Sequence, residues 1–160
     1  MLDQVVSTVD SPVGPLLLRA EGGKLIELSF MRRTQQPARR APDDVVRAAI
    51  AQLEEYFAGR RKAFELPLDL RGPSFYLKVW NALLDIPYGK TISYGQLAKI
   101  VGDPDAARAV GTANGANPIA IIVPCHRVIG ADGSLVGYGG GLPRKQRLLD
   151  LESGTVALAL

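Results

Sequence analysis

Cysteine and histidine are almost absent from this chain: its 160 residues hold one of each, and the two are adjacent, Cys125-His126. A single cysteine excludes an internal disulfide and suits a reducing compartment. One Cys and one His also exclude a structural zinc site, which wants four N/S ligands. Uninterrupted apolar runs of about 18 residues are lacking, so no membrane span is expected. Met1-Leu2-Asp3-Gln4-Val5 offers neither a basic n-region nor a long apolar stretch, so no secretory signal is expected. These absences point to the cytoplasm, or the nucleus in a eukaryote. No internal repeat is visible.

What is present suits a folded protein. Hydrophobic residues make up 47% and charged residues 22%, enough apolar material for a core and too little charge for a disordered chain. One domain, or two small lobes sharing an interface, is expected. The net charge of +3 and the pI near 9.2 are a mild basic bias. It means either a few extra arginines or, if they share a face, a polyanionic partner.

Residues 4–30 read as three short strands joined by Asp10-Ser11-Pro12-Val13-Gly14 and Glu21-Gly22-Gly23, an antiparallel meander. Residues 31–43 carry four Arg and two Pro without a pattern and read as a linker. Val46, Ile50, Leu53 and Phe57 form one helical stripe over residues 44–58, with Asp43 or Asp44 as cap and Gly59 as stop. Residues 65–70 alternate as a further strand, with Pro67 favouring a sheet edge. Residues 74–84 form a helix with Phe75, Val79, Trp80 and Leu83 on one face.

Ser93-Tyr94-Gly95-Gln96 is a capping box that opens a helix running to about Val101, closed by Gly102. Asp103-Pro104 is expected to restart a second helix. The pair is a helix-turn-helix candidate, although many helix corners bind nothing. The second helix is nearly all small residues, with Arg108 standing out among them. So little bulk lets the backbone approach another surface closely, either a neighbouring helix or a DNA groove.

An apolar run then stops at Pro124 and presents Cys125-His126. Neighbouring side chains do not face each other on a helix or strand, so a thiol–imidazole contact needs a sharp turn or a bridging water. His126 can then draw the proton from Cys125, leaving the nucleophilic thiolate. A buried, inert cysteine is the alternative that the bare pair leaves open. After the turn at residues 131–134, Val136-Gly137-Tyr138-Gly139-Gly140-Gly141-Leu142 is a loop with one aromatic that can stack on a flat substrate. The last helix starts at Pro143, and its basic first turn opposes the helix dipole. Arg144, Lys145 and Arg147 should therefore answer to something outside it.

Pro124-Cys125-His126-Arg127-Val128 resembles the active-site signature of the O6-alkylguanine-DNA alkyltransferases. The resemblance extends through Phe75 with Val79-Trp80, Ile86-Pro87-Tyr88-Gly89, Ser93-Tyr94, Ala107-Arg108-Ala109-Val110-Gly111, Asn117-Pro118, Gly137-Tyr138 with Gly140-Gly141-Leu142, and Leu148-Leu149 with Glu152. It covers residues 72–152 strongly, and the turn at Ser11-Pro12-Val13-Gly14 more loosely. It implies an α+β fold: a small N-terminal antiparallel sheet lobe with a helix (residues 1–70), packed on a mostly helical domain with a DNA-binding helix-turn-helix (71–160).

The resemblance further implies irreversible, single-turnover transfer of an alkyl group from O6 of guanine, and from O4 of thymine, to Cys125. His126 would be the water-relayed base, oriented by Glu152, and Asn117 would hold the active-site turn. Tyr94 would protonate the leaving base. Arg108 would enter the minor groove and replace the extruded nucleotide, beside the further DNA-binding residues Ser93, Tyr94, Ala107, Ala109, Gly111 and Thr112. Tyr138, Gly139, Val128 and Lys145 would form the substrate pocket. No cofactor and no metal are implied. The implied partner is double-stranded DNA containing alkylated guanine, bound by a monomer, with cooperativity along DNA left open. Val136 and Gly139 stand where the family often has Thr and Ala or Ser. A non-catalytic, lesion-binding member of the same fold is the alternative, and Cys125 argues against it.

Overall fold

The structure, a computed structural model, describes residues 4–32 and 43–154, so most of the arginine- and proline-rich stretch lies outside the described residues. Strands β1 (Gln4–Val9), β2 (Leu16–Glu21) and β3 (Lys24–Phe30) form an antiparallel sheet in the order β1-β2-β3. The β2–β3 turn needs two consecutive positive-φ residues, supplied by Gly22 and Gly23 at 61° and 78°. Leu16, Leu18, Ala20, Leu25 and Leu28 of the sheet are buried, in one core with α1 (Asp44–Phe57). Asp43 caps that helix, its carboxylate accepting from the Val46 amide at 2.9 Å. Val46, Leu53 and Phe57 of the expected stripe are buried, with Val45, Ala49 and Tyr56 beside them.

Residues 65–70 do not form the expected strand. Leu68 makes one isolated parallel bridge to Leu25, in which Leu25 donates to the Pro67 carbonyl and Asp69 donates back, both at 2.9 Å. Pro67 has no N–H with which to extend the ladder. Further along β3, the Leu28 amide donates to Pro118 at 2.9 Å and the Leu28 carbonyl accepts from Ala120 at 2.8 Å. The outer edge of the sheet is thus docked on the segment that leads to Cys125.

The second half is helical. Helix α2 (Ser74–Leu83) packs on α4 (Ala107–Gly115), and the Trp80 indole N–H donates to the Ala113 carbonyl at 2.8 Å. A two-residue strand, β4 (Ile92–Ser93), leads directly into α3 (Tyr94–Ile100), with the capping box complete between Ser93 and Gln96. Helix α4 does not begin at Asp103. The Asp103 carboxylate instead accepts from the Asp105 amide at 3.1 Å, closing a separate local turn, and α4 starts at Ala107 without a side-chain cap. Strand β5 (Val128–Ile129) runs parallel to β4, so the chain beyond Cys125 is tied to the entrance of the helix-turn-helix. Helix α5 (Leu142–Glu152) closes the core with Leu148 and Leu151. No helix among the described residues is long and apolar enough to cross a membrane.

Candidate active site

The segment before Cys125 is a compact, strained turn. Ile121 adopts φ 73° although it is β-branched, a conformation that costs on the order of 1–3 kcal/mol and persists only when its surroundings enforce it. Asn117 does the enforcing from both sides: its amide nitrogen donates to the Val123 carbonyl at 2.7 Å, and its amide oxygen accepts from Ile119 at 3.0 Å. The Val123 amide closes on Ile119 at 3.0 Å, and the Cys125 amide on Val123 at 2.8 Å. From the last turn of α4, the buried Asn114 donates to the Cys125 carbonyl at 3.3 Å. Pro124 then leads into a single 3-10 turn, Cys125–Arg127, all three residues buried. The chain thus turns sharply at Cys125-His126.

Glu152, at the end of α5, meets that turn. Its carboxylate faces His126 Nε2 at 2.7 Å and accepts from Arg127 Nε at 2.7 Å and Arg127 Nη2 at 3.1 Å. Tyr56 of α1 also donates to it, at 2.5 Å. Burial alone would raise the Glu152 carboxyl, but the hydrogen bonds and charges of His126 and Arg127 hold it down at about 2. An ionised Glu152 demands a proton on Nε2, so the neutral imidazole presents Nδ1 as its basic nitrogen. Nδ1 is buried and has no partner among the described residues. Burial pulls the imidazole below its ordinary value of 6.5 against the opposing pull of Glu152. Burial likewise pushes the Cys125 thiol up, only partly offset by the Asn117 side chain and the Lys145 charge. The resting pair is therefore thiol and neutral imidazole.

Cys125 opens on a cavity of about 410 Å³, walled by Tyr94, Gly111, Asn114, Asn117, Tyr138, Gly139 and, from the N-terminal sheet, Leu28, Ser29 and Phe30. Tyr138 meets Phe30 edge-on, with ring centroids 5.9 Å apart. Its hydroxyl and the Asn114 side-chain oxygen are buried polar atoms with no hydrogen-bond partner among the described residues. The Tyr94 hydroxyl donates to the Val136 carbonyl at 3.0 Å, and burial raises its pKa.

Outside the cavity, α4 carries Arg108 exposed, and its guanidinium has no partner among the described residues. Ala109 and Thr112 are exposed beside it, and Ala107 is half-buried. Ser93 is engaged in the α3 capping box.

Two family models match the chain: the 6-O-methylguanine DNA methyltransferase ribonuclease-like domain over residues 5–70, and the DNA-binding domain of the same methyltransferase over residues 74–154. The methylated-DNA–protein-cysteine methyltransferase of Mycobacterium tuberculosis is 56% identical over 148 residues, covering 91% of this chain and 90% of that protein. The chain belongs to the 6-O-methylguanine-DNA methyltransferase family. The Mycobacterium leprae methyltransferase is 54% identical, covering 96% of this chain and 94% of its own. The crystal structure of Mycobacterium tuberculosis OGT in complex with DNA matches with a TM-score of 0.86 at 53% identity, over 94% of this chain and 93% of that one.

Within this methyltransferase fold, Cys125, Tyr94, Asn117, Tyr138, Gly139 and Gly111 converge on one cavity, with His126 and Glu152 behind the cysteine. Val128 and Lys145, expected in the pocket, do not line the cavity. Lys145 is fully buried, and its ammonium binds the carbonyls of Val128, Val136 and Gly137 at 2.6, 3.1 and 3.2 Å. It clamps β5 to the Tyr138 loop from behind. Arg144 likewise turns inward, donating to Val13 and Gly140 and lying over the Phe30 ring. Sequence reasoning missed Asn114, the Arg127–Glu152 pair, Tyr56 and Phe30. Asn114 had one legible signal, a polar residue in a helix otherwise short of side-chain bulk. The others depend on contacts between distant segments.

Proposed function

We propose that this protein repairs O6-alkylguanine in double-stranded DNA by transferring the alkyl group to Cys125, once per molecule. The observation that carries the reading is the solitary cysteine at the cavity, beside a neutral histidine whose Nδ1 is unpartnered. His126 Nδ1 takes the thiol proton, directly or through a bridging water, and the Glu152 carboxylate stabilises the imidazolium. The thiolate attacks the saturated carbon on O6, forming the S–C bond as the C–O bond breaks. The electron pair leaves on guanine, which then takes a proton. Tyr94 is the proposed donor, exchanging its Val136 partner for the base. The product is a thioether with no leaving group that water displaces readily, so Cys125 is consumed. No step requires a cofactor. O4-alkylthymine presents the same saturated carbon on an exocyclic oxygen and is the second proposed substrate.

O6 of guanine lies inside the duplex, so the nucleotide must be extruded, at least cost when it is already mispaired. Arg108 is the proposed occupant of the vacated position. The small residues around it let α4 approach the minor groove, and the Tyr138–Gly139 loop covers the base. Residues 1–70 are proposed as the structural lobe and 71–160 as the DNA-binding, alkyl-accepting domain. A cytoplasmic location, or a nuclear one in a eukaryote, and monomeric binding to DNA are proposed with it.

Incubation with duplex DNA containing O6-methylguanine should add one methyl mass to the peptide holding Cys125, with stoichiometric loss of activity. Repeated turnover, or binding without a mass change, would overturn the reading; the second result would favour a lesion-binding module. Arg108→Ala should slow repair in duplex DNA far more than reaction with free O6-benzylguanine. Equal losses on both would remove the proposed role of Arg108.

A further inference from the structure

Tyr56 belongs to α1, 96 residues away from Glu152 in sequence, yet its hydroxyl is bonded to the active-site carboxylate. The ring itself is core: it is fully buried and lies edge-on to Phe57 and Tyr88 and tilted against Phe64, at centroid distances of 5.3, 6.2 and 5.4 Å. A buried tyrosine hydroxyl usually finds some acceptor. The informative fact is which acceptor it finds. Glu152 Oε2 takes the Tyr56 hydroxyl at 2.5 Å and also faces His126 Nε2 at 2.7 Å, while Oε1 takes Arg127 Nε. Arg127 Nη2 also donates to Oε2, at 3.1 Å, so one oxygen serves the phenol, the imidazole and one arm of the guanidinium.

We infer that Tyr56 is a positioning residue of the alkyl-transfer relay, its hydroxyl competing with His126 for Glu152 Oε2 and so setting how strongly the imidazole draws the Cys125 proton. The inference rests on the alkyl-transfer reading of the site. Three donors sharing one carboxylate oxygen each weaken it as an acceptor for the others, so removing the phenol leaves that oxygen to His126 and Arg127. The phenol remains protonated, because burial and the Glu152 charge both raise its pKa well above the ordinary value. The other charged or titratable groups around the pair are Arg127 and Lys145, which disfavour the imidazolium, Cys125 on the same turn, and Tyr88 and Tyr138 facing Glu152. The Tyr88 hydroxyl reaches the Leu151 carbonyl at 3.4 Å. Tyr56 is thus the phenol that bonds Glu152, and the N-terminal lobe contributes it.

His126 is the only histidine of the chain, so its ¹⁵N imidazole resonances titrate without overlap. Tyr56→Phe keeps the ring packing and removes the hydroxyl. The imidazole midpoint should rise by about half a pH unit or more. The acid limb of the single-turnover rate on free O6-benzylguanine should move upward with it. A lowered melting temperature with both midpoints unmoved would reduce Tyr56 to packing and overturn the inference. If Tyr56→Phe fails to fold, site-specific fluorotyrosine at position 56, a more acidic phenol and stronger donor, should move both midpoints downward. No movement there overturns the inference equally. The resonance titration needs no alkyl transfer, so failure of Cys125 to alkylate would sink the proposed function while leaving this test readable.

Discussion

Ile121 shows why a single residue cannot be read without its neighbours. Its φ of 73° is unfavourable for a β-branched side chain, yet it is 1% exposed and packed in the core. Burial and the two-sided Asn117 clamp hold it there and thereby aim Cys125. The sequence displayed Asn117, and family resemblance supplied its assignment. Nothing local announced that the strained residue lies four positions before the nucleophile. Asn117→Ala removes both bonds and leaves the Val123 carbonyl and Ile119 amide without them, which should cost about 1–3 kcal/mol of stability. The turn would relax toward a normal isoleucine conformation and move Cys125 off line. Urea denaturation should report the stability loss. The rate with free O6-benzylguanine should fall by more than tenfold, whereas an unchanged rate would show that the turn holds without its clamp.

Among the elements, those legible in sequence were the ones with local signatures. Alternation and the Gly22-Gly23 turn gave β1 to β3, one stripe gave α1, and the capping box gave the start of α3. Residues 65–70 and the start of α4 were misjudged because proline and aspartate chemistry can serve a turn or bridge as well as a regular element. The Cys125, His126 and Glu152 set was legible by resemblance; Tyr56, Arg127 and Phe30 were not, because their roles exist only where α1, α5 and β3 meet. Two glycines test how elements touch. A Cβ on Gly111, midway along α4, would lie 3.8 Å from the Tyr94 ring, an ordinary contact. A Cβ on Gly140 would lie 2.6 Å from the Phe30 ring. Gly111→Ala should therefore stabilise the protein by up to about 1 kcal/mol through helix propensity. Gly140→Ala should destabilise it by about 1–3 kcal/mol, because ring or loop must shift. Thermal melts of the two variants should move in opposite directions.

For the whole molecule, the buried relay makes stability depend on pH from both sides. His126 binds its proton less readily in the fold than at its ordinary 6.5, so below that pH the unfolded chain takes up more protons and stability falls. Glu152, held at about 2 against an ordinary 4.5, adds a second loss from about pH 4.5 downward. On the alkaline side the order reverses. Cys125, ordinarily near 9.0, and Tyr56 and Tyr138, ordinarily near 10.0, are all raised in the fold. The unfolded chain loses those protons first, and their share of stability falls as pH rises past 9; Lys145, lowered by burial from its ordinary 10.5, offsets part of that loss. The maximum should therefore lie between about pH 6.5 and 9, away from the isoelectric point. Alkylation gives this profile a marker of its own. A thioether at Cys125 cannot ionise, so alkylated protein should lose the cysteine share of the alkaline decline. The tyrosine share and both acid losses should remain. Urea midpoints from pH 5 to 10, on untreated protein and on protein reacted with O6-methylguanine DNA and repurified, check this. The two curves should run parallel up to about pH 8.5 and converge or diverge only above it. Parallel curves throughout would mean that the Cys125 thiol ionises no differently in the fold than in the open chain.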